Sequence, residues 1–100
     1  TLHNRARGEV LLAIDGRERK CCVTLGALAE LEAAFDVISL SQLSERLGLL
    51  TAADLIVVLA ALTAGGGEPM SAAELASARI DPRAAANAVA DAFRAAFDDA

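Results

Sequence analysis

Covalent catalysis by a side chain needs a nucleophile within hydrogen-bond reach of a base. The chain has serines, threonines and two adjacent cysteines, Cys21 and Cys22, but its one histidine, His3, stands in a polar N-terminal stretch with no partner nearby in sequence. No Ser-His or Cys-His arrangement follows. Neighbouring residues of a strand point to opposite faces, which disfavours an unstrained Cys21–Cys22 disulfide. Two thiols without a cluster of histidines or carboxylates make no zinc site. They read as small apolar fillers of a reduced, cytoplasmic protein. Glu30 and Glu32 lie two apart on a predicted helix and do not face each other. The run Gly65-Gly-Gly67 invites comparison with a phosphate-binding loop, yet no Lys-Ser/Thr follows it and no strand precedes it. It reads as a flexible connection. No catalytic pair, metal site or cofactor site is expected, and an enzyme is the least expected class.

The elements that would position any site are marked more clearly. Residues 9–14 alternate as a strand: Val10, Leu12 and Ile14 form one face, while Leu11 and Ala13 make the other apolar enough for cover on both sides. Asp15-Gly16 is a type I′ hairpin signal. With a two-residue turn and a return strand over 17–23, Ile14 faces Arg17, Leu12 faces Arg19 and Val10 faces Cys21. Thr24 is an N-cap for a helix over 25–36, whose stripe is Leu25, Leu28, Leu31 and Phe35. Glu32 falls inside that apolar arc in projection, so it needs a cation such as Arg17, Arg19 or Arg46, or a place at a rim.

Ser39 and Gln42 fit a capping box for a helix over 40–47, with Gly48 as its left-handed cap. A helix over 52–63 is apolar nearly all round, which suits a central core helix or half of an interface. Ser71 and Glu74 form a capping box opening a helix over 72–79. Asp81-Pro82 opens the last, over 82–97, with Ala85, Ala86, Val89, Phe93 and Phe97 on its buried side. The expectation is an α+β fold: an N-terminal hairpin over about 9–23 packed on four to five helices, within a single domain spanning 1–100. Residues 1–7 are expected to be a disordered tail, and Asp98 and Asp99 to fray the last helix.

The bulk numbers narrow the partners. One hundred residues suit one core. A net charge of −5 argues against non-specific nucleic-acid binding, although Arg5, Arg7, Arg17, Arg19 and Lys20 make a local basic cluster. With three aromatics, all Phe, there is little to stack on bases or sugars. The longest apolar run, 55–62, is too short to span a bilayer, and no signal peptide is visible. Surplus aliphatic surface suits protein–protein contact, either helix-in-groove or oligomeric.

A family resemblance adds a specific function. Arg7-Gly-Glu-Val10, Ile14-Asp-Gly-Arg17 and Thr24-Leu-Gly-Ala-Leu-Ala-Glu-Leu-Glu32 with Phe35 carry it. So do Leu47, Leu50-Thr-Ala-Ala-Asp-Leu-Ile56 and Ala64-Gly-Gly. The chain resembles proteins encoded in the tail-gene region of gene transfer agents, the phage-like particles of alphaproteobacteria, and is similar to phage tail-assembly chaperones. The resemblance implies a non-enzymatic assembly factor that binds tape-measure or tail-tube protein in the cytoplasm of the bacterial host. The alternative is a structural tail or connector component that remains in the particle. Leu28, Leu31, Glu32 and Phe35 are the candidate partner-binding residues under this resemblance. A homo-oligomer is compatible with open hairpin edges.

Overall fold

A computed structural model describes residues 8–97. The tail over 1–7, with His3, and the end over 98–100 lie outside the described residues. The element order is β1 (Val10–Ile14), β2 (Arg17–Cys21), α1 (Leu25–Ala34), α2 (Leu40–Leu47), α3 (Ala52–Gly65), α4 (Ala72–Ser77) and α5 (Pro82–Phe97). The α+β architecture, a hairpin followed by five helices, is the expected one.

β1 and β2 pair antiparallel in the expected register, with Ile14 opposite Arg17, Leu12 opposite Arg19 and Val10 opposite Cys21. Asp15 and Gly16 both take positive φ, 54° and 77°, which a type I′ turn requires. Val10, Leu12 and Ile14 are buried. The other face is not covered: Ala13 is exposed and Leu11 half-buried. The helices take one side of the hairpin only.

α3 is the hub. It packs against α1, β2, α4 and α5, and Val58, Leu59, Ala61, Leu62 and Thr63 are buried along it. The apolar-all-round helix is therefore the central core helix. Its last turn runs into the glycines and meets the backbone of the hairpin strand. A Cβ at Gly65 would lie 2.2 Å from the Cys22 carbonyl oxygen, and one at Gly66 2.1 Å from that of Lys20. Real carbon–oxygen contacts are far longer, so only glycine fits. The Cys22 N–H donates to the Leu62 carbonyl at 3.0 Å across this seam. The glycine run, expected as a flexible connection, is a docking point. Its loop is pinned as well. The Thr63 hydroxyl accepts from the Met70 N–H at 3.1 Å and donates to the Leu59 carbonyl at 2.8 Å, while Glu68 Oε1 accepts the Lys20 N–H at 3.2 Å.

Several local expectations shift for identifiable reasons. α4 stops at Ser77 because the next residues are claimed by the hairpin turn: the Asp15 N–H donates to the Arg79 carbonyl at 2.9 Å, and the Arg79 N–H donates to Asp15 Oδ1 at 2.7 Å. Gly48 is not left-handed; at φ −77° it continues the helical turn, and its N–H donates to the Glu45 carbonyl. The left-handed cap falls on Asp36 instead, at φ 55°. There the Val37 N–H donates to the Glu32 carbonyl and the Asp36 N–H to the Ala33 carbonyl, which is a Schellman arrangement closing α1.

α1 is also rotated from its expected facing. Ala27, Leu28 and Leu31 are buried, whereas Leu25 is 84% exposed. At 100° per residue the buried arc is turned by roughly 45° toward Ala27.

Candidate functional site

Glu32 sat inside the expected arc, but the rotation of α1 moves it to the flank, where it is half-buried. Among the described residues it has no ion pair. Leu28 and Leu31 are core residues, with their surface inside the fold. Phe35, half-buried at the C-cap of α1, meets a cation: the Arg46 guanidinium lies 4.7 Å from its ring centroid. The structure therefore does not bring the four candidates together on one open surface.

Arg46, one of the cations expected to meet Glu32, pairs with a different carboxylate. Its two guanidinium nitrogens donate to the Asp54 oxygens at 2.8 and 2.9 Å, and one donates also to the Leu49 carbonyl at 3.0 Å. Two parallel N–H···O bonds of this kind fix orientation as well as distance. Asp54 also closes the capping box of α3, accepting from the Thr51 N–H at 3.0 Å. The Arg46 hydrogen bonds, followed by those of Thr51, hold the Asp54 carboxyl down to about 2 from its ordinary 3.8. This clamp ties the end of α2 to the start of α3 and, through the stacked ring, to the end of α1.

With its end fixed there, α2 does not close onto α5. A groove of about 890 Å³ opens between them, with the start of α3 beneath. Leu40, Leu43 and Leu47 form one wall; Val89, Phe93 and Phe97 form the other. Leu43 and Val89 are buried at its base, while Leu40 and Phe97 at the lips are 48% and 56% exposed. The rings of Phe93 and Phe97 stack with centroids 6.1 Å apart. Phe97, expected on the buried side of its helix, is thus an open apolar surface. Both walls were visible as apolar stripes. Nothing in either stripe says that they flank a gap rather than meet, because the two helices are separated by α3 and α4 in the chain.

The remaining reactive groups are quiet. Burial pushes the Cys21 thiol up to about 11, with Cys22 and Glu68 adding to the rise, and burial also raises the Cys22 thiol. Neither is a thiolate at neutral pH. Among the described residues no group of His, Cys, Asp or Glu is placed to hold a metal ion, and no helix is long and apolar enough to cross a membrane.

The open surface of this hairpin-and-helix fold is thus an apolar groove between two helices. A sequence comparison gives the chain a family. The profile of the phage tail tube protein family, GTA-gp10, matches residues 7–99, and the chain belongs to this family. No curated protein and no solved structure matches the chain. It is a tail protein of the gene transfer agent and phage type.

Proposed function

We propose that this chain is a non-enzymatic structural component of the tail of a gene transfer agent particle, and that it remains in the assembled particle. The observation that carries the reading is the family match, which runs over nearly the whole chain and is to a tail tube protein. The α2–α5 groove supports it, since Leu40 and Phe97 hold open apolar surface at its lips. In this reading the groove takes an apolar helical segment of a neighbouring tail protein, in the manner of helix-in-groove recognition. The family description favours this role over the tail-assembly chaperone implied by the sequence resemblance, which would bind tape-measure or tail-tube protein and then leave.

Quantitative mass spectrometry of purified particles separates the two. The structural role requires the chain in fixed proportion to the other tail proteins. A chain found with tape-measure protein in lysates but missing from finished particles would overturn it and restore the chaperone role.

A further inference from the structure

The two edges of the hairpin are treated differently. In a two-residue hairpin Ile14 and Arg17 exchange both hydrogen bonds, and alternation extends this to Leu12 with Arg19 and Val10 with Cys21. Even-numbered residues of β2 and odd-numbered residues of β1 then aim their backbone groups outward. On β2 the outward N–H groups of Lys20 and Cys22 are taken by Glu68 Oε1 and the Leu62 carbonyl. On β1 the outward N–H of Asp15 is taken by the Arg79 carbonyl. The outward groups of Leu11 and Ala13 have no partner among the described residues.

Natural edge strands are usually guarded by charge, proline or a bulge. β1 has none of these: its sequence is VLLAI, and its pairing with β2 is regular throughout. β2 is the reverse, RERKC: it is charged, and the outward donors of Lys20 and, just beyond it, Cys22 are taken in the same chain.

We propose that the open edge of β1 pairs with β1 of a second copy of this chain, antiparallel and centred on Leu12, giving a continuous sheet ordered β2-β1-β1-β2. The occupant follows from the register. A two-fold axis at Leu12 sets Leu11 of one copy opposite Ala13 of the other. Those are the two residues with open groups, so every outward N–H and C=O of the pair is satisfied at once. The same axis sets apolar side chains beside apolar ones on the outer face, where Leu11 and Ala13 lack cover. No charge within Val10–Ile14 opposes the approach; the like charges of the seam stand at its two ends, where Glu9 of one copy falls opposite Asp15 of the other. A copy's β2 is the poorer partner, because Glu68 and Leu62 already take its Lys20 and Cys22 donors and the one outward residue left there, Glu18, is charged. This pairing does not rest on the tail assignment and is tested on the purified chain alone.

Sedimentation and amide hydrogen exchange measured together from ~10 µM to ~1 mM read it directly. The apparent mass should double across the range, and the Leu11 and Ala13 amides should slow in step with the mass. Ala13→Glu sets a carboxylate on an exposed position diagonally across from both its counterpart and Glu9 of the other copy, and should return the chain to monomer with its helical circular dichroism intact. Ala13→Pro removes one of the outward donors and should do the same. A monomer throughout, a dimer whose Leu11 and Ala13 amides stay fast, or a dimer that survives Ala13→Glu would each overturn the pairing.

Discussion

Two seams of this molecule, both bordering α3, end in opposite states. Where α3 meets β2, glycines let two backbones touch, and the seam is closed by the main-chain bond from Cys22 to Leu62 and by the Glu68 carboxylate on the Lys20 N–H. Where α2 faces α5, leucines and phenylalanines hold the helices apart and leave a groove. Close packing depends on shape more than on hydrophobicity. A pair of helices whose relative position is set elsewhere, here by the Arg46–Asp54 clamp, need not fill the space between them. The closed seam serves stability, and the open one leaves surface for a partner.

The comparison can be broken most severely at the closed seam. Gly66→Ala or Gly65→Ala forces a methyl group into a carbonyl oxygen, and neither neighbour is a flexible side chain that could move away. We expect a loss of roughly 3 kcal/mol or more by denaturant unfolding. A loss below ~1 kcal/mol would mean that the seam can relax and that the contrast is overstated.

The next effect is at Thr63. Thr63→Val keeps the shape but leaves the buried Met70 N–H without its acceptor. The expected cost is about 1–3 kcal/mol. Hydrogen exchange should show the loop over 66–70 opening before the rest of the fold, and a loop as protected as in the parent chain would count against the pinning role.

Acid should act on the open seam. The Asp54 carboxyl lies below its ordinary value in the folded chain, so its clamp stabilises the fold above pH ~4 and is lost as the pH falls through about 2. Unfolding midpoints measured between those limits should drop with pH, and Asp54→Asn should flatten the dependence. An unchanged pH profile in Asp54→Asn would show that other carboxylates dominate.

The smallest stability effect and the largest functional one are expected together at the groove lips. Leu40→Ser and Phe97→Ser remove exposed apolar atoms and should change stability by less than ~1 kcal/mol. Incorporation of the chain into particles, followed by mass spectrometry, should fall. Full incorporation of both variants would remove the groove from the docking surface.

Local features were legible because their causes are local. Asp15-Gly16 specifies a turn that fixes register, and Thr24, Ser39, Ser71 and Asp81 each accept a backbone N–H at the start of a helix, as their side chains dictate. Glu32 was placed inside the apolar arc, and not on its flank, because a helical projection gives the width of an arc but not its facing, which the packing of α1 on α3 decided; its half-buried position fits the rim alternative. The pairing of Arg46 with Asp54 escaped notice for a related reason: they are eight residues apart across a turn, so no helical spacing links them.

The amino-acid sequence alone determined the hairpin, its register, the helices and the family, since these rest on neighbours along the chain and on patterns that need no third dimension. Only the tertiary structure decided that the glycine run is a contact and not a hinge, that Leu28 and Leu31 are core, and that the apolar stripes of α2 and α5 face each other across a gap. Those outcomes depend on the distance between segments far apart in sequence, which excluded volume and a few directed hydrogen bonds set, and which composition and periodicity do not encode.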